Sequence, residues 1–460
     1  MKSNFNELAY KNTENFIFGH AKNPVEMANG MVIGGGTVYP EINFTLSSMS
    51  VNEENMPEIR KQYREIVEDI CDRCLELKVP GLVVEIEILP AATYNADWGE
   101  EIVEIVREVL DKYEANRGLK SLLRVTPVDI REDMKSDNMW TGEYWDKLME
   151  VFTRSARSGA DLLSIESIGG KNLHDEALMY CEIDKSLFSL GVLGVKDMSH
   201  LWSSIVEIAK KNDTIAAGDT ACAFANTAMV LGDKGMIPKV FSAVVRVMSA
   251  VRSLVALEEG AVGPHKDCGY EGVYIKAITG TPISMEGKTS AVAHLSPVGN
   301  IASCVADLWS NESVQNVKLL GGMAPTISME QLAYDCRLMN TAIKGGHKKI
   351  IDLRDLFSES DKKLDPNAYV LDPEVVINLA HKIVQKETLY RRMITAGLET
   401  VKELRRAIEN DLLMVDEKEI QWLDIMEDKL GEIPLDESKF IAQMVENYES
   451  EKFKPEKYNL

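Results

Sequence analysis

The sequence predicts an α/β protein: a (β/α)8 barrel of the TIM type with an N-terminal extension and a C-terminal helical region. Three observations predict it. Eight short, β-branched runs recur along the first three quarters of the chain, and amphipathic stretches with apolar residues at spacings of three and four lie between them. Strand signal then stops near Asp365, where Leu, Glu and Lys take over at helical spacing. Alternation of strands and helices implies a parallel sheet, and eight units suffice to close it, with an open doubly wound sheet as the alternative topology. The boundaries implied are 1–35 for the extension, 36–364 for the catalytic barrel and 365–460 for the helical region.

In chain order the runs are 38–45 (VYPEINFT), 81–89 (GLVVEIEIL), 122–130 (LLRVTPVDI), 161–167 (DLLSIES), 214–220 (TIAAGDT), 253–261 (SLVALEEGA), 291–297 (AVAHLSP) and 317–322 (VKLLGG). Stretches 100–118, 144–159 and 201–212 carry the helical pattern between them. Beyond 365, helices are expected over 387–410 and 417–430, and no internal repeat or low-complexity tract interrupts the chain.

The chain is long enough, at 460 residues, to bury a large core, and its 45% hydrophobic and 27% charged content is that of a folded protein. Net charge is −22, from 51 basic and 73 acidic residues, which argues against nucleic acid or an anionic membrane as partner. Arg246 and Arg252 interrupt the most apolar stretch, 240–257, and the first residues lack an apolar signal core, so a cytoplasmic protein without a membrane span is expected. Seven cysteines at irregular spacing point to reduced thiols rather than a disulfide framework.

Chemistry in a barrel comes from the carboxyl ends of strands and the loops after them. Alternation in LLSIES turns Ser164 and Glu166 inward and Leu163 and Ile165 toward the helices, leaving Glu166 at the strand top. Cys222 follows the fifth run by two residues, and Cys268 lies in GPHKDCGYEG, too polar and glycine-rich for core. A carboxylate and two thiolates from neighbouring strand tops suit tetrahedral zinc with one position left open. Taken alone, Cys222 reads better as an ordinary helix-packing cysteine than as a ligand.

The motifs IGGGTVYPEINFTL (33–46), SIESIGGK (164–171), AAGDTACAFANTAM (216–229) and GPHKDCGYEG (263–272) resemble those of the zinc-containing methanol:corrinoid methyltransferases of anaerobic methylotrophic methanogens and acetogens. The resemblance covers nearly the whole chain. It implies a barrel whose zinc is held by Glu166, Cys222 and Cys268, activating the oxygen of methanol so that its methyl group passes to Co(I) of a corrinoid on a separate protein. It also implies a homodimer within a hetero-oligomer. An Asp-x-His-x-x-Gly pattern that would supply a histidine to cobalt is not found in the sequence, so the corrinoid is expected on the partner. A related barrel acting on a methoxylated or methylamine donor, and a non-catalytic docking barrel with structural cysteines, remain as alternatives.

Several further residues are candidates. Glu85 and Glu87 share the inward face of the second run with Val83, where the pair could hold a proton, a cation or a water, or form ion pairs across the barrel. Asp219 and Asp267, beside the ligand cysteines, could handle protons or cap loops. His294 could line the substrate pocket, and His265 is expected behind the ligands or at the surface. Cys71 and Cys74 form a Cys-x-x-Cys, but Cys74 falls on an apolar helical stripe with Ile66, Ile70 and Leu77, so core packing is expected rather than redox or metal binding; Cys181, Cys304 and Cys336 are also expected to pack the core. The glycines of 33–37 lack the Lys-Ser/Thr of a phosphate loop.

Overall fold

The sheet order β7-β6-β5-β4-β3-β10-β9-β8 contains eight strands, all paired in parallel. Here β1 is His20–Glu26, β2 Val32–Gly35, β3 Tyr39–Thr45, β4 Leu82–Ile88, β5 Ser121–Pro127, β6 Leu162–Ile165, β7 Ile215–Asp219, β8 His265–Asp267, β9 Ile283–Glu286 and β10 Leu308–Val314. The computed structural model describes residues 1–45, 51–131, 138–314, 317–447 and 453–460. Backbone bonds from Val262 and Gly263 to the carbonyls of Ala216 and Ala217 (3.0 and 2.9 Å) join the approach to β8 to β7 and close the barrel.

The first five sequence-derived strands correspond to β3–β7; the last three do not. Run 253–261 is the end of helix Lys239–Glu258 and the turn after it. That helix is apolar on all sides and buried throughout, so its β-branched residues mimic a buried strand. It is long and apolar enough to cross a membrane by composition, yet its whole window is buried inside the protein, where Leu389–Glu409 packs along it. Run 291–297 is the end of helix Lys288–Ala293 and the turn that follows, and the seventh barrel strand is β9. Run 317–322 overlaps the short antiparallel pairing of Lys318–Leu319 with Gly322–Met323, while the eighth strand is β10, which begins nine residues earlier.

Along the barrel axis the interior is layered. At the amino end, β1 and β2 form an antiparallel hairpin that inserts Val25, Met27, Met31 and Ile33 among Tyr39, Val83, Leu122, Leu162, Ala217 and Leu308. Asn29 at its turn donates to the carbonyl of Ser121 (2.9 Å) and ties the plug to β5. Above it, buried Arg124 donates to Glu41 (2.6 Å), Ser164 (2.8 Å) and the carbonyl of Pro264 (3.0 Å), and Ser284 donates to the other Glu41 oxygen at 2.5 Å. A buried charge needs such complete pairing. The carboxyl end is left to the polar residues of the site. Beyond residue 365 the described chain is helical, chiefly Pro373–Val384, Leu389–Glu409, Glu417–Gly431 and Glu437–Asn447, and its last turn returns to the carboxyl end of the barrel, where Tyr458 accepts from Gly170 N (2.7 Å).

Candidate active site

Glu166, Cys222 and Cys268 meet at the carboxyl end of β6, β7 and β8, with one ligand atom from each within 4.8 Å of the others. Strand β6 ends at Ile165, and Glu166 makes a single parallel bridge to Val128, which holds it at the rim with its side chain 30% exposed. Cys268 follows β8 directly and is buried; its Sγ stands 3.0 Å from Glu166 Oε1. Cys222 opens a short wide turn after β7 and accepts from Asn226 Nδ2 at 3.2 Å.

Each ligand is held by a neighbour of another. Asp219, next to the Cys222 loop, accepts from the backbone of Ser167 (3.2 Å) and from Trp202 Nε1 (2.7 Å), fixing the residue after Glu166. Thr220 accepts from the backbone N–H groups of Cys268 and Gly269 (3.2 and 3.3 Å). Glu271, from the Cys268 loop, accepts from Ala221 N at 2.5 Å and Ser253 Oγ at 2.8 Å, fixing the residue before Cys222. This close packing explains two of the glycines. A Cβ on Gly269 would stand 3.1 Å from the carbonyl carbon of Ala221, and Gly218, at φ +151° where β6 and β7 shift register, lies against His265.

Lys266, on β8, is the cation of this pocket. It pairs with Glu85 (2.7 Å), Glu166 (3.2 Å) and Glu87 (3.4 Å). Burial opposes its charge, but the three carboxylates outweigh it and hold the ammonium well above its ordinary pKa. Glu85 and Glu87 thus face inward as alternation requires, and their main contact is an ion pair across the barrel, completed by Thr126 (2.6 Å to Glu85) and Asn43 (2.8 Å to Glu87). Burial pushes the Glu87 carboxyl up to about 7 despite Lys266.

Burial and the surrounding negative charges hold both thiols in their protonated form. At Cys222 the hydrogen bond with Cys268 favours the thiolate, yet burial and the charges of Glu166 and Glu312 outweigh it and push the thiol up to about 11. Burial holds Cys268 well above its usual range. A divalent cation reverses this balance by ionising both sulfurs. Two soft sulfurs and one oxygen, converging from three rigid strand ends, are a donor set that fits zinc with a fourth position open.

Of the other candidates, Asp219 serves the loop rather than the pocket, burial raising its carboxyl to about 6 against the pull of Arg252. The side chain of Asp267 lies outside the described part of the structure. His265 is buried behind the pocket, 3.9 Å from Glu271, and His294 caps the helix after β9, 3.1 Å from Glu312. Cys71 and Cys74 are buried in helix Met56–Leu77. Sequence reasoning missed Thr220, Asn226, Lys266, Glu271, Glu286 and Glu312. Lys266 and Glu271 were within reach, because both belong to the same polar stretch as Cys268.

The chain matches, over residues 2–459, the family described as methanol-cobalamin methyltransferase B subunit (MtaB). It is 38% identical over 462 residues to the methanol–corrinoid protein co-methyltransferase of Methanosarcina barkeri (strain Fusaro / DSM 804), an alignment covering 99% of this chain and 98% of that protein. Its structure is similar to that in the crystal structure of the methanol:cobalamin methyltransferase complex MtaBC from Methanosarcina barkeri, with a TM-score of 0.94, 37% identity and all of both chains covered. With the eight-stranded barrel and the thiol–carboxylate cluster on its carboxyl face, the chain belongs to the methanol-cobalamin methyltransferase B subunit family.

Proposed function

We propose that this chain transfers the methyl group of methanol to Co(I) of a corrinoid carried by a separate protein, using zinc held by Glu166, Cys222 and Cys268. The observation that carries the metal assignment is the convergence of these three side chains within 4.8 Å on an otherwise pre-formed rim. When bound, zinc supplies Lewis acidity toward the methanol oxygen, which offsets the poor leaving ability of hydroxide. The protein's own residues do the rest. Asp219, Thr220 and Glu271 hold the three donors in place before any ligand arrives, so little reorganisation remains for binding. Lys266 fixes the Glu166 carboxylate and balances part of the negative charge. The oxygen departs as water only if a proton reaches it, and Glu87, which lies in this pocket 3.4 Å from Lys266 and whose carboxyl burial raises, is the group we assign to supply it.

The test is metal analysis of Cys222→Ala and Cys268→Ala alongside methyl transfer from methanol to free Co(I) cobalamin. Each variant should lose about one zinc per chain with an unchanged circular dichroism spectrum, because the barrel core stabilises the fold without the metal. Full zinc retention in both variants would sink the assignment. Methylamine or methoxylated donors should support no comparable transfer; preference for either over methanol would replace the substrate. We further propose self-association through the C-terminal helices or the N-terminal segment, checked by sedimentation of the purified chain.

A further inference from the structure

Next to the thiol pocket, the remaining strand ends carry a second donor cluster. Glu286 ends β9, Glu312 lies on β10, and His294 caps the helix that follows β9; one ligand atom from each lies within 4.8 Å of the others. His294 Nε2 stands 3.1 Å from Glu312 Oε2. That separation suits donors sharing one metal, since bonds of about 2.0–2.2 Å to adjacent coordination positions put them roughly 3 Å apart.

Three further observations point to a ligand. Glu286 is 3% exposed, and its Oε2 is buried without a hydrogen-bond partner among the described residues. Neither Glu286 nor Glu312 forms an ion pair with lysine or arginine among the described residues, because Lys266 is spent on Glu85, Glu87 and Glu166. Two adjacent carboxylates in a buried setting demand either a proton or a cation. The scaffold is also built. Glu312 N donates to Ser290 Oγ (2.8 Å), Ser290 donates in turn to Asn311, and Asn226 joins His294 Nδ1 (2.9 Å) to Cys222 Sγ (3.2 Å). His294 and Glu312 remain 22% and 30% exposed, which leaves a route of entry.

We propose that Glu286, His294 and Glu312 form a second divalent-cation site on the rim of the barrel, distinct from the Glu166–Cys222–Cys268 cluster. Two carboxylates and an imidazole favour a harder ion than the thiol pocket does, with Mn²⁺ the discriminating probe. Bound there, the cation neutralises both carboxylates and keeps open positions toward the mouth for oxygen ligands. Asn226 couples the two sites through its contacts with Cys222 and His294.

The experiment titrates zinc-loaded protein with Mn²⁺ and follows free Mn²⁺ by electron paramagnetic resonance. The expected result is about one Mn²⁺ bound per chain with zinc content unchanged, because manganese does not displace zinc from thiolates. Glu286→Gln and His294→Gln should each weaken Mn²⁺ binding about tenfold or more while retaining zinc, which also shows that they fold. Absence of specific Mn²⁺ binding by the zinc-loaded wild type, or undiminished binding in both variants, overturns the site and leaves a shared proton on the carboxylates. The outcome is separable from the zinc assignment. If that assignment failed, Cys222→Ala would keep its zinc whatever the Mn²⁺ titration showed.

Discussion

The Glu271 carboxylate touches no predicted ligand directly, yet it accepts from the backbone beside Cys222 while its own loop carries Cys268. Glu271→Gln keeps the shape and removes the charge, which loosens two of three donors at once. Zinc affinity measured by chelator competition should fall about 10- to 100-fold, the usual cost of losing an outer partner of a metal ligand. An unchanged affinity would show that the loops hold their positions without it. His174 gives a second residue-scale expectation. It is buried, packs on Phe224 with ring centroids 5.1 Å apart, and burial together with Lys171 and Arg252 lowers its pKa to about 3. The unfolded chain takes up this proton near pH 6.5 and the folded chain does not. Stability from His174 is therefore complete above pH 6.5 and is lost as pH falls toward 3, at about 1.4 kcal/mol per unit. His174→Phe should flatten that part of a urea-denaturation profile; the same slope in wild type and variant would contradict it. The convergence of Glu166 and Cys268 was legible in the sequence because one ends a strand and the other sits in a polar, glycine-rich loop; Cys222, in a stretch that also suits helix packing, stood out only through the family resemblance. Thr220 and Asn226 were not legible, since a hydroxyl or amide that orients a neighbour looks like any other loop residue.

At the level of elements, the first five barrel strands were legible because β-branched alternation and short turns coincide in them. The last three were lost for separable reasons. Strand β8 is only three residues, His265–Asp267, and carries no β-branched residue. Strand β9 (ISME) is also short, and β10 (LWSNESV) is polar in its second half because its inward face builds a site rather than a core. Misplacing β9 and β10 also hid Glu286 and Glu312, whose inward direction depends on strand register. The hairpin of β1 and β2 was expected only as an extension, and its role as a plug follows from packing with six strands. Ile33, fully buried in that plug, should cost about 2–4 kcal/mol on substitution by alanine, read as a lower denaturation midpoint. Zinc content should stay unchanged, because the ion-pair layer of Arg124 and Glu41 separates plug from site. Loss of zinc in folded Ile33→Ala would mean that the two ends of the barrel are coupled.

For the whole molecule, direct transfer requires the cobalt of the partner to approach the rim where Glu166, Cys222 and Cys268 meet. The segments that follow the strands carry exposed apolar side chains, some in short helices and some in turns. Tyr94 after β4, Tyr180 after β6, Val292 and Leu295 after β9 and Leu320 after β10 are all exposed. Exposed apolar side chains on several of the segments that follow the strands suit burial against another protein. Hydrogen exchange of this chain with and without the corrinoid protein should therefore show protection in segments 90–95, 173–181 and 288–296, with the hairpin of β1 and β2 unaffected. A Tyr180→Ala, Val292→Ala double variant should weaken the complex at least about tenfold, while transfer to free Co(I) cobalamin, which needs no docked protein, stays within about twofold of wild type. Protection confined to the hairpin end would place the cobalt a whole barrel length from the thiols. Direct displacement on methanol at that rim would then have to be abandoned.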